Sequence, residues 1–185
     1  MHKEALIRRG RCHVLGDDIP LDEGIMPFSF AINRITDPAQ LIPHLFCGVD
    51  SSLAAKIKPG DFVLAGKNFA SGKAHMQGFI AMASLGLSVL CESMPYKAHR
   101  GAIAKGVAIL TGFTDLRSFA QDHDDIEVNF MDGTIQNHTQ GTQTLAPALS
   151  PILSQLVRVG GLQSALKLHL ELHPEMKLPY SGSPA

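Results

Sequence analysis

The stretch DFVLAGKNFASGKAHMQGFIAMASLG, residues 61–86, decides the fold. Phe62-Val63-Leu64-Ala65 is a short, continuous apolar run, which predicts a strand over 61–65 that is buried on both faces. Met76, Phe79, Ile80 and Ala83 recur at helical spacing, which predicts a helix with one buried face that stops at Gly86. The small and basic residues between them form a loop. Further on, 87–91 (LSVLC) predicts a second buried strand, 96–105 a second helix and 107–110 (VAIL) a third strand. Strand, helix, strand, helix, strand is the pattern of parallel pairing through right-handed crossovers, hence an α/β fold. That topology sets the loop at the C-terminal edge of the sheet, where open α/β folds bind ligands.

Outward from this unit, 11–15 (RCHVL) predicts a strand that enters a turn at Gly16-Asp17-Asp18-Ile19-Pro20. Residues 21–27 are broken by Gly24 and Pro27 and predict a loop. Asp37-Pro38 is an N-cap followed by Pro at the first helical position, opening a helix over 39–46, and Asp50-Ser51-Ser52 caps another through Lys56. In the second half, 125–130 (DIEVNF) alternates as a half-exposed strand does. Asp132-Gly133 then turns it into a hairpin with 134–136. Residues 151–159 and 162–172 predict helices on either side of Gly160-Gly161. No linker divides the chain, so 1–185 reads as one domain, with 174–185 a disordered tail.

Apolar residues make up 45% of the chain and charged residues 18%, with a net charge of −1 and a pI near 6.7. This balance describes a folded protein and excludes a general attraction to nucleic acid or to an anionic membrane surface. No apolar run reaches the roughly 18 residues of a spanning helix, and residues 1–9 lack the apolar segment of a signal peptide; the expected location is cytoplasmic. Cys12, Cys47 and Cys91 are odd in number and far apart, with no CxxC pair. They predict buried apolar side chains and neither a disulfide framework nor a metal centre in this chain.

Unpaired amides at a helix start carry partial positive charge, and glycine lets an anion come close. Ser71, Gly72, Lys73, Ala74 and His75 add a hydroxyl, a cation and a titratable ring to that geometry, so the loop can grip a small carboxylate or phosphate. It reads equally as an ordinary strand-to-helix turn with Ser71 as a cap. It is not a Walker loop, because Ala74 follows the lysine where Ser or Thr is required. His169 and His173 lack the HExxH order, and Asp17, Asp18, Asp22 and Glu23 lack EF-hand spacing. The first pair predicts surface histidines at a helix end, the second group a solvated turn.

Four stretches carry a resemblance. GDDIPLDEGIMP (16–27) resembles GDNIDTDxIIP, and KPGDFVLAGKNFASGKAH (58–75) resembles KPGDIIVAGxNFGCGSSREH. VLCESMPYKAHRGAIAKG (89–106) resembles VIAESFARIFYRNAINNG, and DIEVNFMDGTIQNHTQG (125–141) with ILSQLVRVGGLQSALK (152–167) resembles a closing segment. These motifs, in this order from Arg11 to Lys167, resemble the small subunit of 3-isopropylmalate dehydratase, the swivel domain of the aconitase superfamily. The resemblance implies an α/β swivel domain with a mixed, largely parallel sheet, crossover helices and β/β/α layers. It also implies half of a heterodimeric hydro-lyase of leucine biosynthesis. A large subunit holds a [4Fe–4S] cluster through three cysteines and most of the substrate contacts, the small subunit closes over the site, and a malate-like hydroxy acid loses and regains water.

Within that resemblance the loop departs from its pattern. Lys73 stands at the family's serine base, Ala74 at the next serine, His75 at the carboxylate-binding arginine and Ser71 at the cysteine. A lysine among substrate carboxylates keeps its proton, so Lys73 is expected to clamp a carboxylate and His75 to carry the proton. Replacing arginine by histidine also gives up the bidentate fork. Asp22 or Glu23 takes the remaining acidic position of the first motif, and Arg100 is the arginine kept in the third. The expected catalytic set is His75, Lys73, Ser71 and Asp22; Gly72, Lys73, Ala74 and Arg100 are expected to bind substrate.

Overall fold

Strand β1, Ile7–Val14, belongs to two halves of one sheet in the computed structural model, which describes residues 6–176. On one side Cys12–Val14 pair in parallel with β2 (Phe62–Ala65), and β3 (Ser88–Cys91) and β4 (Ala108–Thr111) extend the parallel half. On the other, Ile7–Arg11 pair antiparallel with β5 (Asp125–Asn129), followed by β6 (Thr134–Asn137) and β7 (Thr142–Leu145). The seven strands run in the order β4-β3-β2-β1-β5-β6-β7.

Two cores explain the layering. Val63, Ala65, Val89, Cys91 and Ile109 point to one face of the parallel half, where they meet Leu41 of α2 (Pro38–Leu41) and Phe79 and Met82 of α4 (Gln77–Ser84). Phe62, Leu64, Leu90 and Leu110 point the other way and pack on Ile126, Val128, Phe130 and Ile135. The antiparallel half therefore curls back over the parallel half, giving β/β/α layers. Runs such as FVLA must be apolar at every position because each strand lies between two cores. Phe79 is wholly buried, and truncating it to Ala is expected to cost about 3–5 kcal/mol.

The parallel half matches its sequence reading to within a residue or two, and the remainder differs for identifiable reasons. The first strand starts four residues earlier than expected. Its basic residues are tolerated because Arg8 donates to Gly86 O and Ser88 Oγ, both at 3.2 Å, and Arg9 pairs with Asp125 at 2.6 Å. The expected helix over 39–46 is split into α2 and a 3-10 turn (Ile42–His44), because Pro43 has no N–H to continue the ladder. A helix missed after Pro27, α1 (Phe28–Ile32), is short and buries no residue fully. Further helices are α3 (Leu53–Lys56), α5 (Tyr96–Ala104), α6 (Leu116–Phe119), α7 (Pro151–Arg158) and α8 (Leu162–Leu172). Of the expected tail, Pro174–Met176 form a 3-10 turn and 177–185 lie outside the described residues. Among the described residues no helix is long and apolar enough to cross a membrane.

Candidate active-site loop

The segment between β2 and α4 is held by the acidic loop that follows β1. Asp17 Oδ1 accepts from the Lys67 amide at 2.9 Å, Asp18 Oδ1 from Asn68 Nδ2 at 2.8 Å, and Asp22 Oδ1 from the Lys73 amide at 3.0 Å. Backbone bonds from Gly66 to Gly16 O (3.1 Å) and from Leu21 to Ser71 O (2.7 Å) run beside them. The turn is solvent-exposed at Asp17, Asp18 and Glu23, as expected, and Asp17, Asp18 and Asp22 in addition form a cradle for the basic loop.

Two glycines make the cradle possible. A Cβ on Gly66 would run into Asp17 Oδ1, and one on Gly72 into Asp22 Oδ1; Gly72 also has φ of +80°, where a side chain is strained. Ala70 adopts φ of 59° without that freedom, so the loop carries backbone strain next to Ser71.

The chemistry-bearing side chains lie at two depths. Lys73 is exposed, with its ammonium 4.3 Å from the centre of the Phe28 ring. His75 lies deeper, only 7% exposed, with its ring 5.7 Å from that of Phe28 and tilted by 61°. Gln77 fixes the orientation of His75. Gln77 Nε2 donates to Ile35 O at 3.3 Å, so its Oε1 is the acceptor that meets His75 Nδ1 at 3.2 Å and the Met76 amide at 3.1 Å. Nδ1 therefore bears the proton. Among the described residues His75 Nε2 is buried with no hydrogen-bond partner, an unmet polar atom next to the loop.

The structure brings Ser71, Gly72, Lys73 and Ala74 together with Asp22, and puts His75 beneath them. Of the two acidic residues, Asp22 bonds to the loop, whereas Glu23 Oε1 accepts from the Phe28 amide at 3.0 Å. The amides of Lys73 and Met76 are already taken by Asp22 and Gln77, which narrows the anion hole expected at the helix start. Arg100 lies with its guanidinium 5.5 Å from the Tyr96 ring, on the wall of a groove shared with Leu153, Leu156 and Leu162. Sequence reasoning missed Phe28 and Gln77; the one signal for Phe28 is its position directly after GDDIPLDEGIMP. Cys12 and Cys91 sit in opposite cores, where burial pushes both thiols up to about 12, so they do not fit a cluster-ligand set.

Fold and loop together define an α/β domain of the aconitase swivel type with a strapped, basic strand-to-helix loop at the edge of its parallel half. The chain is 32% identical to 3-isopropylmalate dehydratase small subunit 1 of Methanopyrus kandleri over 162 residues, 86% of this chain and 92% of that one. It is 28% identical to the isopropylmalate/citramalate isomerase small subunit of Methanocaldococcus jannaschii, over 87% and 94% of the two chains. The crystal structure of 3-isopropylmalate dehydratase (leuD) from the same organism superposes with a TM-score of 0.82 at 27% identity, covering 92% of this chain and 99% of that one. No family model matches the chain. The chain belongs to the family of 3-isopropylmalate dehydratase small subunits.

Proposed function

We propose that this chain is the cytoplasmic small subunit of a hydro-lyase of the 3-isopropylmalate dehydratase type, acting as one swivel domain over residues 1–185 with a large subunit. The observation that carries the reading is the strapped loop: Lys73, held through Asp22, stands at the exposed edge of a domain whose relatives span the same length as small subunits. The substrate is a malate-like hydroxy acid. The partner is expected to hold a [4Fe–4S] cluster, whose contribution when bound is Lewis-acid polarisation of the departing hydroxyl.

This chain's own residues divide the remaining work. The Lys73 ammonium pairs with a substrate carboxylate, with the Phe28 ring beside the ammonium and Asp22 fixing its backbone. His75 Nε2 takes the carbon-bound proton; the C–H electron pair becomes the double bond, and the hydroxyl leaves the neighbouring carbon with its bonding pair as hydroxide on the partner's side, where a proton from solvent converts it to water. Gln77 holds the tautomer that makes Nε2 the base. Because Nε2 is buried, with Phe28 against the ring, the loop must open as substrate enters. Arg100, outside the loop, faces the α5–α7 groove and reaches substrate only from a partner-closed arrangement.

The test is anaerobic co-expression with an aconitase-like large subunit, assaying iron in the complex and dehydration of 2-isopropylmalate and related malates. Turnover by the complex, absent from either chain alone, establishes the reading; an iron-loaded complex without turnover on any malate removes it. The burial of His75 Nε2 and the presence of Lys73 at the family's serine favour a second reading, a non-catalytic carboxylate-binding paralogue. Carboxylate binding by the chain alone, with no iron partner captured, selects it.

A further inference from the structure

His13, which the proposed reaction does not use, is 2% exposed in β1, and its Nε2 lies 3.0 Å from Asp61 Oδ2. The same Asp61 oxygen accepts from the Lys58 amide at 2.8 Å, so the carboxylate is anchored where it meets the ring. A carboxylate accepts and does not donate; Nε2 therefore carries a proton, and in the neutral ring Nδ1 is the nitrogen with the lone pair. Among the described residues Nδ1 is buried without a hydrogen-bond partner. Leaving such an acceptor unmet is costly, which asks what it is for.

Its neighbours come from the turn that enters β5. One ligand atom from each of His13, Asp122 and His123 lies within 4.8 Å of the other two. The His13 and His123 rings meet edge to face, 5.5 Å between centroids, and His123 Nε2 lies 3.1 Å from Asp122 Oδ2. The turn itself is fixed: the Val14 amide donates to Asp122 Oδ1 at 3.1 Å, and the His123 amide to Cys12 O at 2.8 Å.

We propose that His13, Asp122 and His123 bind a divalent transition-metal ion of the zinc type, with Asp61 behind His13 as the orienting carboxylate. Two imidazoles and one carboxylate are the donor set such ions take, usually with water as fourth ligand. A carboxylate holding the far nitrogen of a ligating histidine is the usual outer support. Bonds of about 2.0–2.1 Å put tetrahedral ligand atoms roughly 3.3 Å apart. The small contraction needed falls on Asp122 and His123, whose side chains are 54% and 53% exposed and can turn. The bound ion ties β1 to β5, the pair through which the two halves of the sheet are joined.

The experiment uses the untagged full chain with Zn²⁺ or Co²⁺ alone, reading stoichiometry by equilibrium dialysis and the Co²⁺ site by visible absorption. One equivalent of metal and a four-coordinate cobalt spectrum are expected. His123→Asn, which tolerates the φ of +71° at that position, and Asp122→Asn each lower affinity at least tenfold, and Asp61→Asn lowers it by about 10–100-fold. His169 and His173, with rings 4.5 Å apart on α8, are the competing surface pair, and replacing both by Ala leaves the binding unchanged. No binding by the wild-type chain, or binding that survives both His123→Asn and Asp122→Asn, overturns the proposal; so does binding lost with the α8 pair. Because loss of buried His13 risks unfolding the chain, the two exposed ligands decide the result.

Discussion

The Lys73 amide donates to the Asp22 carboxylate at 3.0 Å, which joins the basic loop to the acidic one at the residue whose side chain faces solvent. Asp22 therefore positions Lys73 without touching its charge. Asp22→Ala is expected to leave the loop untethered and lower kcat/KM of the two-subunit complex by roughly 10–100-fold, since small displacements at a reacting centre are costly. Asp22→Asn keeps an acceptor and retains most of the activity. Gly72→Ala, which drives a methyl into the same carboxylate, behaves like Asp22→Ala.

Lys73→Met keeps an unbranched apolar side chain of similar length and removes the charge that lies over Phe28. A charge-assisted contact to a carboxylate contributes about 1.5–3 kcal/mol, so KM for the hydroxy acid rises by roughly 10–100-fold. Steady-state kinetics on the reconstituted complex checks this, and an unchanged KM takes Lys73 out of the substrate contact.

His75→Asn keeps a donor toward Gln77 Oε1 and deletes Nε2. The expected result is a melting temperature close to wild type and kcat reduced by at least about 10²-fold. His75→Ala is a poorer test: it leaves a gap beside Phe28 and frees Gln77, so stability falls as well. Full activity in His75→Asn would assign His75 a packing role.

Val157 and Val159 separate two versions of the last helical layer. The sequence pattern carries α7 through Val159, but Val159 is the half-buried residue that ends the helix, whereas Val157 is 3% exposed within the second core. Val157→Asp is expected to destabilise the chain by several kcal/mol, and Val159→Asp by far less, read as urea midpoints.

Asp50 gives a pH-dependent signature at α3. Its carboxylate accepts from the Ser52 hydroxyl (2.7 Å), the Ser52 amide (2.8 Å) and Lys56 (3.1 Å), and these bonds hold its pKa down to about 2. An unfolded aspartate titrates near 3.9. The folded value is the depressed one, so the contribution is complete above about pH 3.9 and is lost as pH falls toward about 2. Asp50→Asn flattens that part of the stability profile, measured by urea unfolding between about pH 5 and 2.

The parallel half was legible because FVLA, SVLC and AILT are buried on nearly every side and admit few other readings. The N-terminal half of β1 was not. IRRGR is charged, and only its pairing with Asp125–Asn129 and the bonds of Arg8 and Arg9 make it a strand. β7, TQTL, lies at the sheet edge with its side chains largely in solvent, so no apolar pattern marks it. At the loop, Ser71, Lys73 and His75 were visible as chemistry, but the burial of His75 depends on Phe28, forty-seven positions earlier in the chain. His13, Asp61 and His123 share no local spacing at all, and tertiary folding alone assembles them.

The double membership of β1 also orders events during synthesis. β1 pairs in parallel with Phe62–Leu64 and antiparallel with Asp125–Asn129, so its two edges must wait for segments made much later. Non-local pairing of this kind raises contact order and slows folding. Until β5 emerges, the Ile7–Arg11 edge has no partner, a condition that favours chaperone capture or pairing with a foreign strand. The charges at Arg8, Arg9 and Arg11, which hid this strand from sequence patterning, then act as gatekeepers that keep the nascent edge soluble.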